Sequence, residues 1–202
     1  MIIVGLTGSI AMGKSTISAM FAELGVPTFD ADDAVRDFYA GEGASAIESA
    51  FPGVIVSGQV DRERLGSRVL GDADALQRLE GLVHPAVAEA RGRFLKRAAA
   101  AGRRLVVVDV PLLFETGGEA NVDLVLVVSA PESVQRARAL ARTGMTEAKL
   151  GAILSRQTAD AEKRRRAHFV IDTRGRLELT RAVVAQFMRS TAALTGGGAR
   201  HA

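Results

Sequence analysis

The sequence predicts an α/β fold, a three-layer α/β/α arrangement around a five-stranded parallel sheet, with a helical insert in its middle. Three observations predict it. Five short runs rich in Val, Ile and Leu lack polar alternation, the pattern of strands covered on both faces. Helical stretches separate the runs, in the strand–helix order that builds a doubly wound sheet. A long helical region sits between the second run and the third.

The five strand runs cover residues 2–6, 26–29, 105–110, 124–128 and 169–171. The first helix follows its strand directly, over 14–24, and another starts near Ala34. The middle of the chain reads as all helical, over 61–70, 73–83 and 85–101, with Asp61 and Asp72 as N-caps. Pro85 is taken as the start of a new helix. Pro131 opens a helix that runs to about residue 141, Thr146 caps one that runs to about residue 156, and 177–193 is the last. The glycines from Gly196 onward are expected to fray. This order implies a doubly wound core of residues 1–30 and 103–202, with a helical lobe inserted over 31–102 and a further helical segment over 138–163. Ligands of such sheets bind at the carboxyl ends of the strands.

With 202 residues the chain is long enough for one sizeable core, and 48% hydrophobic against 24% charged residues marks it as globular. No apolar run reaches the ~20 residues of a membrane span, and the start lacks the basic segment of a signal peptide. With no cysteine, disulfide scaffolds and thiolate metal sites are excluded. The cytoplasm is the expected compartment, and a monomer or weak homo-oligomer the expected assembly. The net charge of +3 is unevenly placed: nine Lys/Arg between Arg136 and Arg166 face three acids. Such a stretch can attract nucleic acid, surround phosphates, or form a solvated helix face. Aromatics, at 4%, supply no evident stacking platform for single strands.

Gly8-Ser9-Ile10-Ala11-Met12-Gly13-Lys14-Ser15 matches G-x-x-x-x-G-K-[ST] between a strand and a helix, the context that a P-loop requires. Gly8 and Gly13 let the backbone turn so that successive N–H groups, Met12 among them, face phosphate oxygens. The next helix presents its open N–H groups to the same anion. Lys14 is placed for the β/γ-phosphates, the Ser15 hydroxyl for Mg²⁺, and Thr16 for the α-phosphate of ATP. Ala11 stands where glycine would be freer, so it holds a negative φ or bears strain.

A GTPase needs N-K-x-D, and the only asparagine, Asn121, lies in another context. A motor ATPase needs more chain. A small kinase, with an acceptor-binding insert and an arginine-rich lid, fits better. The second strand leads into Asp30-Ala31-Asp32-Asp33, where Asp32 is the candidate general base or hydroxyl-orienting group; N-capping is the alternative role, suited at least as well to Asp30 or Asp33. The third strand ends in Asp109, four hydrophobics before it, a candidate Mg²⁺ carboxylate. Leu112–Phe114 wall an apolar pocket or pack the core. One rival is a kinase for another acceptor. Another is a binding module holding RNA or protein on 136–166, which the acidic Asp30–Asp33 element argues against.

These residues resemble the dephospho-coenzyme A kinase family from residue 2 to about 175. The resemblance rests on G-L-T-G-S-I-A-M-G-K-S-T from Gly5, D-A-D at Asp30–Asp32, L-E-x-x-x-H-P from Leu79, P-L-L-F-E from Pro111, and Q-x-x-R-x-x-x-R on Gln135, Arg138 and Arg142. Gln157, Lys163 and A-x-x-V-I from Ala167 complete it. It implies transfer of the ATP γ-phosphoryl group to the ribose 3′-hydroxyl of dephospho-coenzyme A, the last step of coenzyme A synthesis, with Mg²⁺ and without nucleic-acid or membrane partners. Asp32 would sit at the acceptor hydroxyl. His84 and Pro111, Leu112 and Leu113 would line the acceptor site, although a His before Pro is also a common helix start. Arg142 would reach the ATP phosphates from the lid; the alternative role for Arg138 is to brace the lid helix through a salt bridge. The family commonly carries A-D-x-V-I-x-N near its last strand. Here His168 replaces the acid and Thr173 the Asn, in a loop that lies near the adenine.

Overall fold

The computed structural model describes residues 1–196, which divide into two compact units: Met1–Phe29 with the chain from Ala98 onward, and Asp30–Arg97. In the first unit the apolar runs become β1 (Ile2–Thr7), β2 (Thr28–Asp30), β5 (Leu105–Asp109), β6 (Leu124–Ser129) and β7 (Phe169–Asp172). They form one parallel five-stranded sheet in the order β2-β5-β1-β6-β7. The register pairs Val4 with Val107 and with Leu124, and Val127 with Val170. Strand β2 joins at the edge, where Val107 N–H donates to Pro27 O at 2.9 Å.

Because side chains alternate along a strand, the all-apolar runs feed two cores. Val4, Leu6, Val107, Leu126, Val128 and Ile171 pack with Ile17, Met20 and Phe21 of α1 (Lys14–Glu23) and with Val184 and Phe187 of α9 (Leu177–Gly196). Their neighbours Val125, Val127 and Val170 pack instead with Leu113 and Phe114. The remaining helices of this unit are α6 (Glu132–Leu140), α7 (Glu147–Leu154) and α8 (Asp160–Arg166), with a 3₁₀ turn at Gly118–Asn121. The predicted cap Thr146 is in place, its hydroxyl accepting from Lys149 N–H. The expected fraying beyond Gly196 lies outside the described residues.

The second unit corrects the reading of an all-helical middle. It holds α2 (Ala31–Ala40), α3 (Gly43–Ala50), α4 (Arg62–Val69) and α5 (Ala73–Ala100), but also an antiparallel hairpin of β3 (Ile55–Val56) and β4 (Gln59–Val60). Its two-residue turn has Ser57 at φ 52° and Gly58 at φ 80°, the two left-handed residues that match strand twist in a tight hairpin. The expected break at Pro85 is also corrected, since α5 runs through it. Proline removes one hydrogen bond to the carbonyl four residues back. That carbonyl belongs to Gly81, which is exposed and has no neighbour within 4 Å of where a Cβ would stand, so water can satisfy it. Asp61 caps α4 as predicted, and Asp72 Oδ1 accepts from Ala75 N–H at 2.9 Å. Ile47, Phe51, Val54, Val60, Leu65 and Ala75 form the core. Gly43 lets the Phe38 ring approach α3 closely: a Cβ there would stand 2.5 Å from the ring and force it to move.

Glu48 ties α3 to the hairpin by accepting from Gly53, Val54 and Ile55 N–H at 2.7, 3.1 and 3.0 Å. These amides, Gly53 first, hold its carboxyl below the usual range. A lowered folded pKa gives stability that is present above the unfolded value of about 4.3 and lost as pH falls through the folded one. Glu48→Gln should therefore show a shallower loss of stability between about pH 5 and pH 3 than the parent chain, measured by urea denaturation across that range.

Candidate active site

The carboxyl ends of β1, β5, β6 and β7 supply one cluster of polar groups. Strand β1 runs into Gly8–Gly13, and α1 begins at Lys14. Gly8 has no room for a side chain, since a Cβ would stand 2.6 Å from Val128 O. Gly13 sits at φ 94°, with Thr173 Oγ1 3.3 Å from a would-be Cβ. Ala11 resolves the alternative posed by the sequence: its φ is 61°, so a β-carbon residue occupies the left-handed region, a cost of about 1 kcal/mol.

This backbone leaves its amides open. Met12 N–H turns back onto Ser9 O at 3.2 Å, and Thr16 N–H onto Gly13 O at 3.1 Å. Among the described residues, the N–H groups of Ala11, Gly13, Lys14 and Ser15 donate to no protein acceptor. Open amides at the start of a ten-residue helix suit a multiply charged anion in charge and in direction. Ser15 and Thr16 are exposed beside them. Lys14 Nζ is paired with Oδ1 of Asp109, which is 1% exposed at the end of β5.

Side chains from later in the chain hold the loop. Ile10 N–H donates to Gln157 Oε1 at 3.1 Å, and Ile10 O accepts from Gln135 Nε2 at 2.9 Å. The Thr173 hydroxyl donates to Met12 O at 2.7 Å and accepts from Arg138 Nη1 at 2.9 Å, while Arg138 Nη2 reaches Thr173 O at 2.7 Å. Ala11 packs against Ala139 and Leu150, with Ile10, Met145 and Leu154 around them. Helices α6 and α7 are therefore seated on the loop, and Arg136 bridges to Glu147 between them.

Four expectations change in detail. Thr173 is 7% exposed, and its hydroxyl is spent on Met12 and Arg138, so its side chain braces the loop rather than meeting a base. Met12 contributes backbone only: its side chain is core, with Sδ accepting from Ala130 N–H at 3.1 Å. Leu113 is 1% exposed and packs in the core, whereas Leu112 is 42% exposed. Pro111 O accepts from the Thr7 hydroxyl at 3.0 Å. Arg138 holds Thr173 by hydrogen bonds rather than bracing a helix by an ion pair. Arg142 is exposed just beyond α6 and has no ion-pair partner among the described residues. His168 closes the start of the β6–β7 pairing, its Nδ1 accepting from Val125 N–H at 3.0 Å.

The basic stretch is largely consumed inside the protein. Lys163 pairs with Glu115, Arg165 with Glu162, and Arg166 with Glu119, its guanidinium 4.4 Å above the Phe114 ring. This assigns most of the Arg164–Arg166 run.

In the second unit, the three carboxylates of Asp30–Asp33 separate by role. Asp30 is the N-cap of α2, accepting from Asp32 and Asp33 N–H at 2.8 and 3.2 Å. Asp33 pairs with Arg36. Asp32 is left with no side-chain partner among the described residues, and it lines a cavity of about 480 Å³ with Val35, Arg36, Tyr39, Arg62 and Leu65. Arg62 lies 5.7 Å from the Tyr39 ring centroid. Burial pushes the Tyr39 hydroxyl's pKa up against the pull of Arg62. The sequence reading passed over Tyr39 and Arg62. Their signal was the i, i+3, i+7 spacing of Asp32, Val35 and Tyr39 and of Arg62, Leu65 and Val69. His84 is exposed midway along α5.

A profile of the dephospho-CoA kinase family matches residues 2–178. The chain belongs to the dephospho-CoA kinase family. It is 58% identical over 184 residues to the dephospho-CoA kinase of Mesorhizobium japonicum, covering 91% of this chain and 93% of that one. It is 56% identical over 190 residues to that of Rhodopseudomonas palustris, covering 94% and 96%. Its fold matches the crystal structure of TT1252 from Thermus thermophilus with a TM-score of 0.82 at 35% identity, over 93% of this chain and 97% of that one. Family membership makes the chain a kinase of coenzyme A biosynthesis. Among the described residues, no helix is long and apolar enough to cross a membrane.

In this dephospho-CoA kinase family member the Thr173 brace is open to a direct check. Thr173→Val keeps the shape but strands the Met12 carbonyl and leaves Arg138 only its bond to the Thr173 carbonyl. A loss of roughly 1–3 kcal/mol in urea-denaturation stability is expected, together with weaker ATP binding in a calorimetric titration.

Proposed function

We propose that the open amides of Gly8–Thr16 receive the triphosphate of ATP and that Asp32 receives the acceptor hydroxyl, the ribose 3′-hydroxyl of dephospho-coenzyme A. The observation that carries this reading is the run of unpaired N–H groups at the start of α1, next to the only ammonium group on that loop, Lys14. Lys14 exchanges Asp109 for the β/γ-phosphate oxygens, keeping charge balanced on both sides of the exchange. Arg142, exposed and without an ion-pair partner among the described residues, supplies a second cation to the transferring group from the segment over 138–163, which acts as the lid.

The residues also fit Mg²⁺. Among the described residues there is no group of three or more His, Asp or Glu able to cage a metal ion. Mg²⁺ bound with a nucleotide needs only one or two protein oxygens, because phosphates and water fill its octahedron. The Ser15 hydroxyl and the Asp109 carboxylate would supply those oxygens, and the ion would draw charge from the phosphate oxygens.

On the acceptor side, the chemistry is positioning more than proton removal, since phosphoryl transfer passes through a loose transition state. Asp32 orients the hydroxyl and takes its proton as the new bond forms. Arg36 and Arg62 give the cavity beside Asp32 the positive charge that suits a phosphate-bearing acceptor, and Tyr39, Val35 and Leu65 give it an apolar wall. His84 and the exposed Leu112 are assigned to the remainder of the acceptor.

Two variants separate these roles. Lys14→Ala should abolish turnover while the chain still melts cooperatively, at a lower temperature because Asp109 loses its cation; preserved turnover would remove the donor site from Gly8–Thr16. Asp32→Asn should lower kcat by about 10²-fold or more while ATP affinity stays within about twofold. Equal losses in both would make Asp32 structural. Mass spectrometry of dephospho-coenzyme A after incubation with ATP should show one added phosphate, on the ribose.

A further inference from the structure

We propose that the buried ion pair between Lys163 and Glu115 is a positioning device for the phosphate loop, acting through Gln157, and that it sets affinity for the nucleotide. The proposal rests on reading Gly8–Thr16 as the nucleotide site.

Lys163 lies in α8 with a side chain that is 0% exposed. A buried ammonium is costly, and an ion pair replaced by apolar side chains of similar volume is often no less stable. Here the compensation is incomplete. Lys163 Nζ is 2.9 Å from Glu115 Oε1, close enough for charge pairing but out of line for a good hydrogen bond, and Glu115 Oε2 has no partner. Burial pushes the Glu115 carboxyl up, yet Lys163 and the Thr158 amide hold it below the usual range. Stability alone is a weak reason to keep such a pair. Position is a stronger one.

The path from the pair to the loop is short. Glu115 Oε1, the atom that faces Lys163, accepts from Thr158 N–H at 2.7 Å. Thr158 follows Gln157, whose Oε1 accepts from Ile10 N–H. Two residues further on, Asp160 Oδ2 accepts from the Ser129 hydroxyl at 2.7 Å, fixing the start of α8 to the end of β6. Glu115 itself follows β5 and the core residues Leu113 and Phe114. The turn that carries Gln157 thus hangs from a rigid wall at two points, and the ion pair is one of them. Loosening it frees Gln157 and unpairs Ile10 N–H, beside the strained Ala11. The open amides then lose the fixed geometry on which tight anion binding depends. Neither Lys163 nor Glu115 has to touch the nucleotide for this to happen.

The test is a double-mutant cycle on the full chain, read as Kd for ATP by calorimetry and as kcat and KM for ATP. Lys163→Met and Gln157→Ala should each weaken ATP binding by about 5- to 10-fold, with kcat at saturating ATP little changed. The double variant should be no weaker than the weaker-binding single one. Multiplying losses in the double variant, or an unchanged Kd in Lys163→Met, would overturn the proposal. Should Lys163→Met fail to melt cooperatively, Glu115→Gln enters the same cycle, since its amide oxygen still accepts from Thr158 while the ion pair is gone; the same two outcomes decide. Lys14→Ala is the control. If it binds ATP as the parent does, the nucleotide site has been misassigned; if it does not and the cycle is additive, the tether alone fails.

Discussion

Backbone amides inside a folded chain are normally paired, and a phosphate cradle has to break that rule. Met12 and Thr16 turn their N–H groups back onto the loop, whereas Ala11, Gly13, Lys14 and Ser15 keep theirs open, and Ala11 holds a left-handed φ to do so. Such a conformation persists when its surroundings over-determine it. Here they do so from three directions: Gln135 and Gln157 take both backbone groups of Ile10, Thr173 takes the Met12 carbonyl, and the apolar faces of α6 and α7 cover Ala11. The parallel sheet makes this possible by ending β1, β6 and β7 side by side, so that residues more than a hundred apart in sequence reach the same few atoms.

The same economy explains the acidic and basic residues. Three carboxylates in four positions look interchangeable in sequence. Once α2 forms, Asp30 is committed to its amides and Asp33 to Arg36, and only Asp32 keeps a carboxylate free for chemistry. The cationic stretch behaves likewise. Lys163, Arg138 and Arg166 are absorbed by Glu115, Thr173 and Glu119, which leaves Arg142 as the exposed cation next to α6.

Much of this was legible. The strand runs needed no alternation because both faces are covered, and the glycine-bracketed motif named its own geometry. What stayed hidden depends on distance rather than local pattern. The hairpin was signalled only by Ser57-Gly58, too short a cue against a helical background. Pro85 misled because its cost depends on whether the Gly81 carbonyl can reach water, which sequence does not state. Gln135, Gln157 and Glu115 were visible as parts of a family pattern, but their work is to hold Ile10 and the turn before α8, and that is readable only once the sheet has brought the ends of β5 and β6 to the same edge as α8.

Thr173 shows how a departure from the family pattern can leave the chemistry intact. A hydroxyl both donates and accepts through one atom, so Thr173 can bond Met12 O and Arg138 at once. Its fit depends on Gly13: a Cβ there would press to 3.3 Å from Oγ1 and 3.4 Å from Cγ2, and at φ 94° the position already disfavours one. The glycine that lets the loop turn also makes room for the side chain that holds the turn. The Thr173 hydroxyl is thus committed to loop support, bonded to Met12 O and to Arg138.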